Sequence, residues 1–258
     1  MNSAFSIGDP GFDYTTQNPG IIINGLMAYF SFENPNCWLG DGVVTVKSLV
    51  DSNPIGGKIF NTSIVGIGTP TASFSGSLTP AGYISCTPNT GLTDLSASSY
   101  CFWTDYYGGL SGTDMGMVCS NGNSNFICGI QNDVFGGGFH SLTFGNSYIG
   151  VSEPIWGTSS LEAGPVTGWH FWSIVYKNGI TNGTATINWY KDGNLINTTT
   201  NLANNGASLG DVLLIGINDI NTLPFPGYIH MVAIYNRALS ATEIKYNYNA
   251  TRWKFLSN

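Results

Sequence analysis

The sequence predicts an all-β fold, a two-sheet antiparallel sandwich closed by one short C-terminal helix. Three observations lead there. Short runs rich in β-branched and aromatic residues recur between turn signals, no segment between Ile21 and Leu239 keeps a 3.6-residue apolar period, and one hairpin is written almost explicitly in the middle of the chain. A length of 258 residues suits one large all-β domain.

Residues 1–20 lack a hydrophobic period and end in QNPG, so they are expected to form an extended N-terminal arm, with a single domain over 21–258. The texture changes at Ile21. In IIINGLMAYFSFE, Leu26, Ala28, Phe30 and Phe32 fall on one side and Met27, Tyr29, Ser31 and Glu33 on the other, the pattern of a strand with one buried face. GVVTVKSLV, TASFSG, GYISCT, SYCFWTDYY, MGMVCS, NFICGI and HSLTFG follow as further short strands. The glycine run in NDVFGGGFH, with Asp133 and His140 beside it, reads as a turn. In GWHFWSIVYKNG, Trp172, Ile174 and Tyr176 alternate with Phe171, Ser173 and Val175, as expected of a strand buried on both faces.

The explicit hairpin is TATINWYKDGNLINTTT. Asp192-Gly193 supplies the two positive φ angles of a two-residue turn, and Leu195-Ile196 begins the return strand. Near the end, GYIHMVAIYNRAL is a strand and SATE is a capping box. Ser240 accepts from the Glu243 N–H, Glu243 reaches back, and Leu239 and Ile244 stand at staple positions. A helix over about 241–249 follows.

Composition limits function. Charged residues make up 9% of the chain, against roughly 25% in soluble proteins generally, so neutral polar groups carry its solubility. Eight Lys and Arg without a basic footprint argue against nucleic-acid binding, and nothing reads as a membrane-binding amphipathic stretch. No apolar run approaches the ~20 residues of a membrane span, and the first 20 residues have no Sec-type signal pattern. Cys37, Cys86, Cys101, Cys119 and Cys128 include no C-x-x-C pair and read as unpaired thiols of a protein made in a reducing cytoplasm. His140, His170 and His230 stand alone, without zinc-ligand spacing.

Four stretches, GLMAYFSFE, GWHFWSIVYKNG, INWYKDGNLI and LLIGIND…FPGYIHMVAIYNRALSATEI, together resemble the laminin-G-like jelly rolls of the concanavalin A-like lectin/glucanase superfamily across about residues 25–245. The last is also similar to copies of the domain in bacterial polysaccharide-handling proteins and in phage virion proteins. The resemblance implies a jelly roll with one concave sheet, in a family with many glycan- and protein-binding members. Relatives often carry an acid after YI that contributes to a calcium site; here His230 and Met231 stand there, which argues against calcium, and no cofactor is expected. Relatives that hydrolyse β-glucans need two carboxylates spaced E-x-D-x-x-E. The four glutamates, at 33, 153, 162 and 243, do not supply them, so no enzyme is expected.

For glycan binding the candidates are Trp103, Asp105 and Tyr107, on one face of the strand SYCFWTDYY. An aromatic ring can lie under a sugar while a carboxylate accepts from its hydroxyls. Against this stands the need of both sandwich layers for large core side chains. The expected function is that of a non-enzymatic virion structural protein, made in the host cytoplasm and displayed on the virion surface as capsid decoration or a fibre or tail component. Its partners would be other virion proteins and copies of itself, with a trimer expected, and surface glycans as a secondary ligand. The alternative is a bacterial carbohydrate-binding module or surface adhesin.

Overall fold

The computed structural model describes residues 20–32, 34, 37, 45–50, 56–60, 63–65, 71–75, 83–87, 96–106, 115–121, 127–132, 140–145, 168–179, 183–202, 212–217 and 225–255. The expected arm over residues 1–19, the glycine-run turn at 133–139 and Tyr107 lie outside them.

Fifteen strands are described: β1 (Leu26–Ser31), β2 (Thr45–Lys47), β3 (Gly56–Phe60), β4 (Ser63–Val65), β5 (Thr71–Ser75), β6 (Tyr83–Thr87), β7 (Ala97–Tyr106), β8 (Met115–Asn121), β9 (Ile127–Asn132), β10 (His140–Gly145), β11 (Trp169–Lys177), β12 (Ala185–Lys191), β13 (Asn194–Leu202), β14 (Leu213–Ile215) and β15 (Pro226–Tyr235). Helix α1 (Ala241–Thr251) and a 3-10 turn (Arg252–Lys254) end the described chain. The larger sheet has the order β13-β12-β11-β7-β15-β5-β4, and β1 joins it on β15. The smaller sheet runs β10-β9-β8-β14-β6-β3-β2. Every described pairing is antiparallel, as in a jelly-roll sandwich.

One edge of β15 pairs along its length with β7, and the other is divided: Pro226–Ile229 meet β5 and Met231–Tyr235 meet β1. The changeover falls at His230, the extra residue of a bulge against β7 between Ile229 and Met231.

The core lies between the sheets. Phe30, Tyr100, Phe102, Trp172, Ile174, Ile187, Trp189, Val232 and Ile234 of the larger sheet pack against Ile84, Cys86, Leu213 and Ile215 of the smaller one. A second apolar layer occupies the opposite face of the larger sheet. There Tyr29, Cys101, Trp103, Phe171, Val175, Tyr190, Met231 and Tyr235 lie under Leu239, Ile244, Tyr248 and Phe255 of the C-terminal segment. This layer corrects the expectation of a single buried face for β1. Tyr29 and Ser31 are buried as well as Phe30, because the segments flanking α1 cover that side.

The hairpin turn is as expected, with φ of 52° at Asp192 and 74° at Gly193. The capping box is also present: Glu243 N–H donates to Ser240 Oγ at 3.3 Å and Ser240 N–H to Glu243 Oε2 at 2.8 Å. The helix runs past the expected 249 to Thr251, because Thr251 Oγ1 donates to the Asn247 carbonyl and accepts from a buried tryptophan, which holds the last turn on the sheet. Asn247 anchors the helix too, accepting from the Ile22 N–H and donating to Tyr235 Oη. The described thiols of Cys37, Cys86, Cys101 and Cys119 are free and buried, and burial pushes those of Cys37 and Cys101 up to about 12.

Candidate functional site

Trp103, the first of the expected sugar-binding residues, is only 1% exposed. Its Nε1–H donates to Thr251 Oγ1 at 2.7 Å, and its ring packs against Phe255 at 4.3 Å, Phe171 at 5.5 Å and Tyr248 at 5.9 Å between centroids. No ring face is left for a sugar. This corrects the sequence reading, and the reason is α1: strand alternation puts Trp103 on the outer side of the sheet, but the helix lies over that side. Asp105, two residues on, emerges at the helix margin and is partly exposed.

A different pair of aromatics flanks Asp105. Trp169 of β11 stands directly opposite Asp105 on one side, and Tyr228 of β15 directly opposite on the other. Direct partners point to the same face with Cβ atoms about 5 Å apart, so the three side chains form a row across β11, β7 and β15. All three are half-buried. The rings of Trp169 and Tyr228 lie 6.3 Å apart and 19° from parallel. Asp105 Oδ1 accepts from the exposed Gly168 N–H at 3.0 Å, the one hydrogen bond to this carboxylate among the described residues. A side chain on Gly227 would run into the Asp105 carbonyl, so this glycine lets β15 approach β7 closely beside the row.

The C-terminal segment makes the wall. Phe255 stacks on Trp169 at 4.6 Å and meets the edge of His230 at 4.9 Å, while His230 meets Trp169 edge-on at 6.3 Å. Lys254 Nζ lies 3.5 Å from His230 Nε2, and burial pushes its ammonium down to about 7. Near-parallel aromatic faces beside a carboxylate suit the apolar face and hydroxyls of a pyranose.

The other two described carboxylates, Asp192 and Glu243, are engaged within the protein. Asp192 accepts from the Phe171 N–H at 3.0 Å and lies 2.9 Å from His170 Nδ1, and Glu243 is clamped by Arg237 at 2.6 and 3.0 Å. Thr104 faces His170 across the strands, yet Thr104 Oγ1 has no hydrogen-bond partner among the described residues, so no hydroxyl is activated there. No group of three or more His, Cys, Asp or Glu is placed to hold a metal among the described residues, and His230 is enclosed by aromatic rings.

Sequence reasoning missed Trp169 and Tyr228. Each follows a glycine at the beginning of a strand, which marks a rim position, but only the register of β11 and β15 on β7 sets them on either side of Asp105.

A family model described as the concanavalin A-like lectin/glucanases superfamily matches residues 78–245. No curated protein sequence matches the chain significantly. Among solved structures the chain is similar to the binding domain of botulinum neurotoxin serotype D/C, with a TM-score of 0.60 and 15% identity over 88% of this chain and 52% of that one. It is also similar to a structure of botulinum neurotoxin type C whose description names interaction with two ganglioside molecules (TM-score 0.59, 13% identity, 88% and 51% covered). A third is a botulinum neurotoxin DC binding domain in complex with rat synaptotagmin II (TM-score 0.60, 16% identity, 89% and 52% covered). At such identity the likeness is one of fold, and the chain spans about half the length of each.

Proposed function

The chain belongs to the concanavalin A-like lectin/glucanase superfamily, and from that premise we propose that it is a non-enzymatic attachment protein of a virion surface, whose lectin-like jelly roll holds a sugar of a surface glycan against Trp169, Asp105 and Tyr228. The observation that carries the sugar-binding part is the row itself: two near-parallel, half-exposed rings on either side of a carboxylate. Similar folds occur in toxin structures whose descriptions name two ganglioside molecules and rat synaptotagmin II, which supports recognition as the activity. Capsid decoration or a fibre or tail position, in a closed homotrimer, accords with a chain of low charge and buried unpaired thiols.

Two experiments test this. On a glycan array the protein should bind a defined set of sugars, and Trp169→Ala, Tyr228→Ala and Asp105→Asn should each weaken that binding while keeping the wild-type melting temperature within a few degrees. An empty array, or binding untouched by all three substitutions, refutes the site. Mass spectrometry of purified particles should find the protein in stoichiometric amounts. A positive array with no protein in particles would instead favour the carbohydrate-binding module.

A further inference from the structure

The flank of α1 and the 3-10 turn, beside the β12-β13 hairpin, carries a second arrangement that the sugar row does not use. Three of the chain's eight basic residues, Lys245, Arg252 and Lys254, fall within ten positions, in a chain of net charge −7. Lys245 Nζ lies 5.0 Å and the Arg252 guanidinium 5.6 Å from the centre of the Tyr248 ring, so two cations flank one aromatic at the i, i+3, i+7 spacing of a single helix ridge. Lys245 Nζ also donates to Asn194 Oδ1 at 3.1 Å and to the Asp192 carbonyl at 3.5 Å. Neither Lys245 nor Arg252 meets a carboxylate among the described residues; the helix's own acid, Glu243, is taken by Arg237. Beside this ridge runs another. Tyr246 is 53% and Trp253 40% exposed, and seven residues of separation put them on one side of the helix, about 10 Å apart along its axis.

We propose that this surface binds an anionic polysaccharide, a chain of carboxylated or sulfated sugars lying along the helix, with its acid groups on Lys245 and Arg252 and its rings on Tyr246 and Trp253. Charge complementarity favours this occupant. A molecule of net charge −7 repels a polyanion except at a locally basic place, and cations that meet no carboxylate among the described residues keep their charge available to an external acid. The two exposed rings, set on one side of the helix, select a sugar polymer over a featureless polyanion. Phe255, which follows the turn, already stacks on Trp169, so the surface leads toward the sugar row, although it does not depend on it.

The test is calorimetric titration of the full chain with polygalacturonate, dextran sulfate and neutral dextran of matched length, and with vesicles containing phosphatidylglycerol. At least one anionic polymer should bind and neutral dextran should not. The double variant Lys245→Gln/Arg252→Gln should lower that affinity by roughly fivefold, and the wild-type affinity should fall as salt rises. Trp253→Ala should lower it further at high salt, where the charge contribution is screened. Arg252 and Trp253 are exposed, so Arg252→Gln and Trp253→Ala should melt with the wild type; Lys245 is half-buried against the hairpin turn, so the single Arg252→Gln variant, expected to lower affinity about twofold, gives the charge effect free of any change in folding. Binding of neither polyanion, equal binding by the double variant, equal binding of neutral dextran, or a preference for the vesicles would each overturn the proposal. Array binding of neutral sugars that survives a failure here leaves the sugar row standing.

Discussion

Trp103→Ala separates the burial seen in the structure from the sugar-binding role expected from sequence. The side chain is 1% exposed and packed on Phe171, Tyr248 and Phe255, so truncation removes a fully enclosed aromatic, which costs about 3–5 kcal/mol. It also deprives Thr251 Oγ1 of the indole N–H, although that hydroxyl keeps its own bond to the Asn247 carbonyl, which adds about 1 kcal/mol. The total, about 4–6 kcal/mol, is a large share of the ~5–15 kcal/mol that a domain has in all. Urea unfolding followed by near-ultraviolet circular dichroism measures it. With a denaturant slope of about 3 kcal/mol per molar, the midpoint should fall by roughly 1.3–2 M. Trp103→Phe keeps most of the volume and loses the N–H, so it should cost about 1–2 kcal/mol and give a reading even if the alanine variant does not fold. A Trp103→Ala protein with the wild-type midpoint and abolished glycan binding would refute the burial account and return Trp103 to the sugar site.

Other substitutions probe the joints that hold the helix on the sheet. Gly193→Ala combines a φ of 74° with a Cβ that would meet Lys245 Cδ at 2.8 Å and Tyr248 Cβ at 3.0 Å, so thermal melting should show a loss of about 1–3 kcal/mol; Gly168→Ala, with φ of 97° and open space around it, should lose only about 1 kcal/mol. Glu243 is held down to about 2, first by its hydrogen bonds from Arg237 and then by those from Ser240; since its folded pKa lies below its unfolded one, its stabilisation is present above pH 4.5 and disappears as pH falls toward 2. Discounted for solvent screening, that amounts to about 1 kcal/mol, so Glu243→Gln should be less stable by that much at pH 7 and equal to wild type near pH 2 in paired pH melts. Lys254 has the opposite sign: its folded pKa of about 7 lies below the unfolded value, the unfolded chain binds the extra proton between the two, and stability rises from pH 7 toward pH 10. Lys254→Met should flatten that rise and raise the melting temperature at pH 7.

Much of the fold could be read along the chain because its signals are local. The turn at Asp192-Gly193 needs two adjacent residues able to take positive φ, and the Ser240–Glu243 box needs partners three apart; both are complete within a few positions of sequence. The strand Trp169–Lys177 was legible as buried on both sides because both alternating sets carry large apolar residues. The short strands Gly56–Phe60 and Ser63–Val65 gave no such signal: with three to five residues each, and two glycines opening the first, neither shows an alternation to follow.

The row of Trp169, Asp105 and Tyr228 was legible in one member of three. Asp105 could be picked out as a carboxylate near the end of an aromatic strand, and the same alternation assigned Trp103 to its face correctly. Which residues of that face remain open depends on where α1 and Phe255 come to rest, and that is settled by contacts across more than a hundred positions, such as Trp103 with Thr251 and Asn247 with Ile22. The neighbours of Asp105 depend on strand register, and Trp169 and Tyr228 come from segments 64 and 123 residues further on. Sequence by itself determined the elements, their alternation and the start of the helix, since each is decided by the steric and hydrogen-bonding preferences of adjacent residues. Only the tertiary structure decided that Trp103 is enclosed and Trp169 is left half-open, because burial belongs to what packs over a face, and nothing in either residue's local sequence carries that.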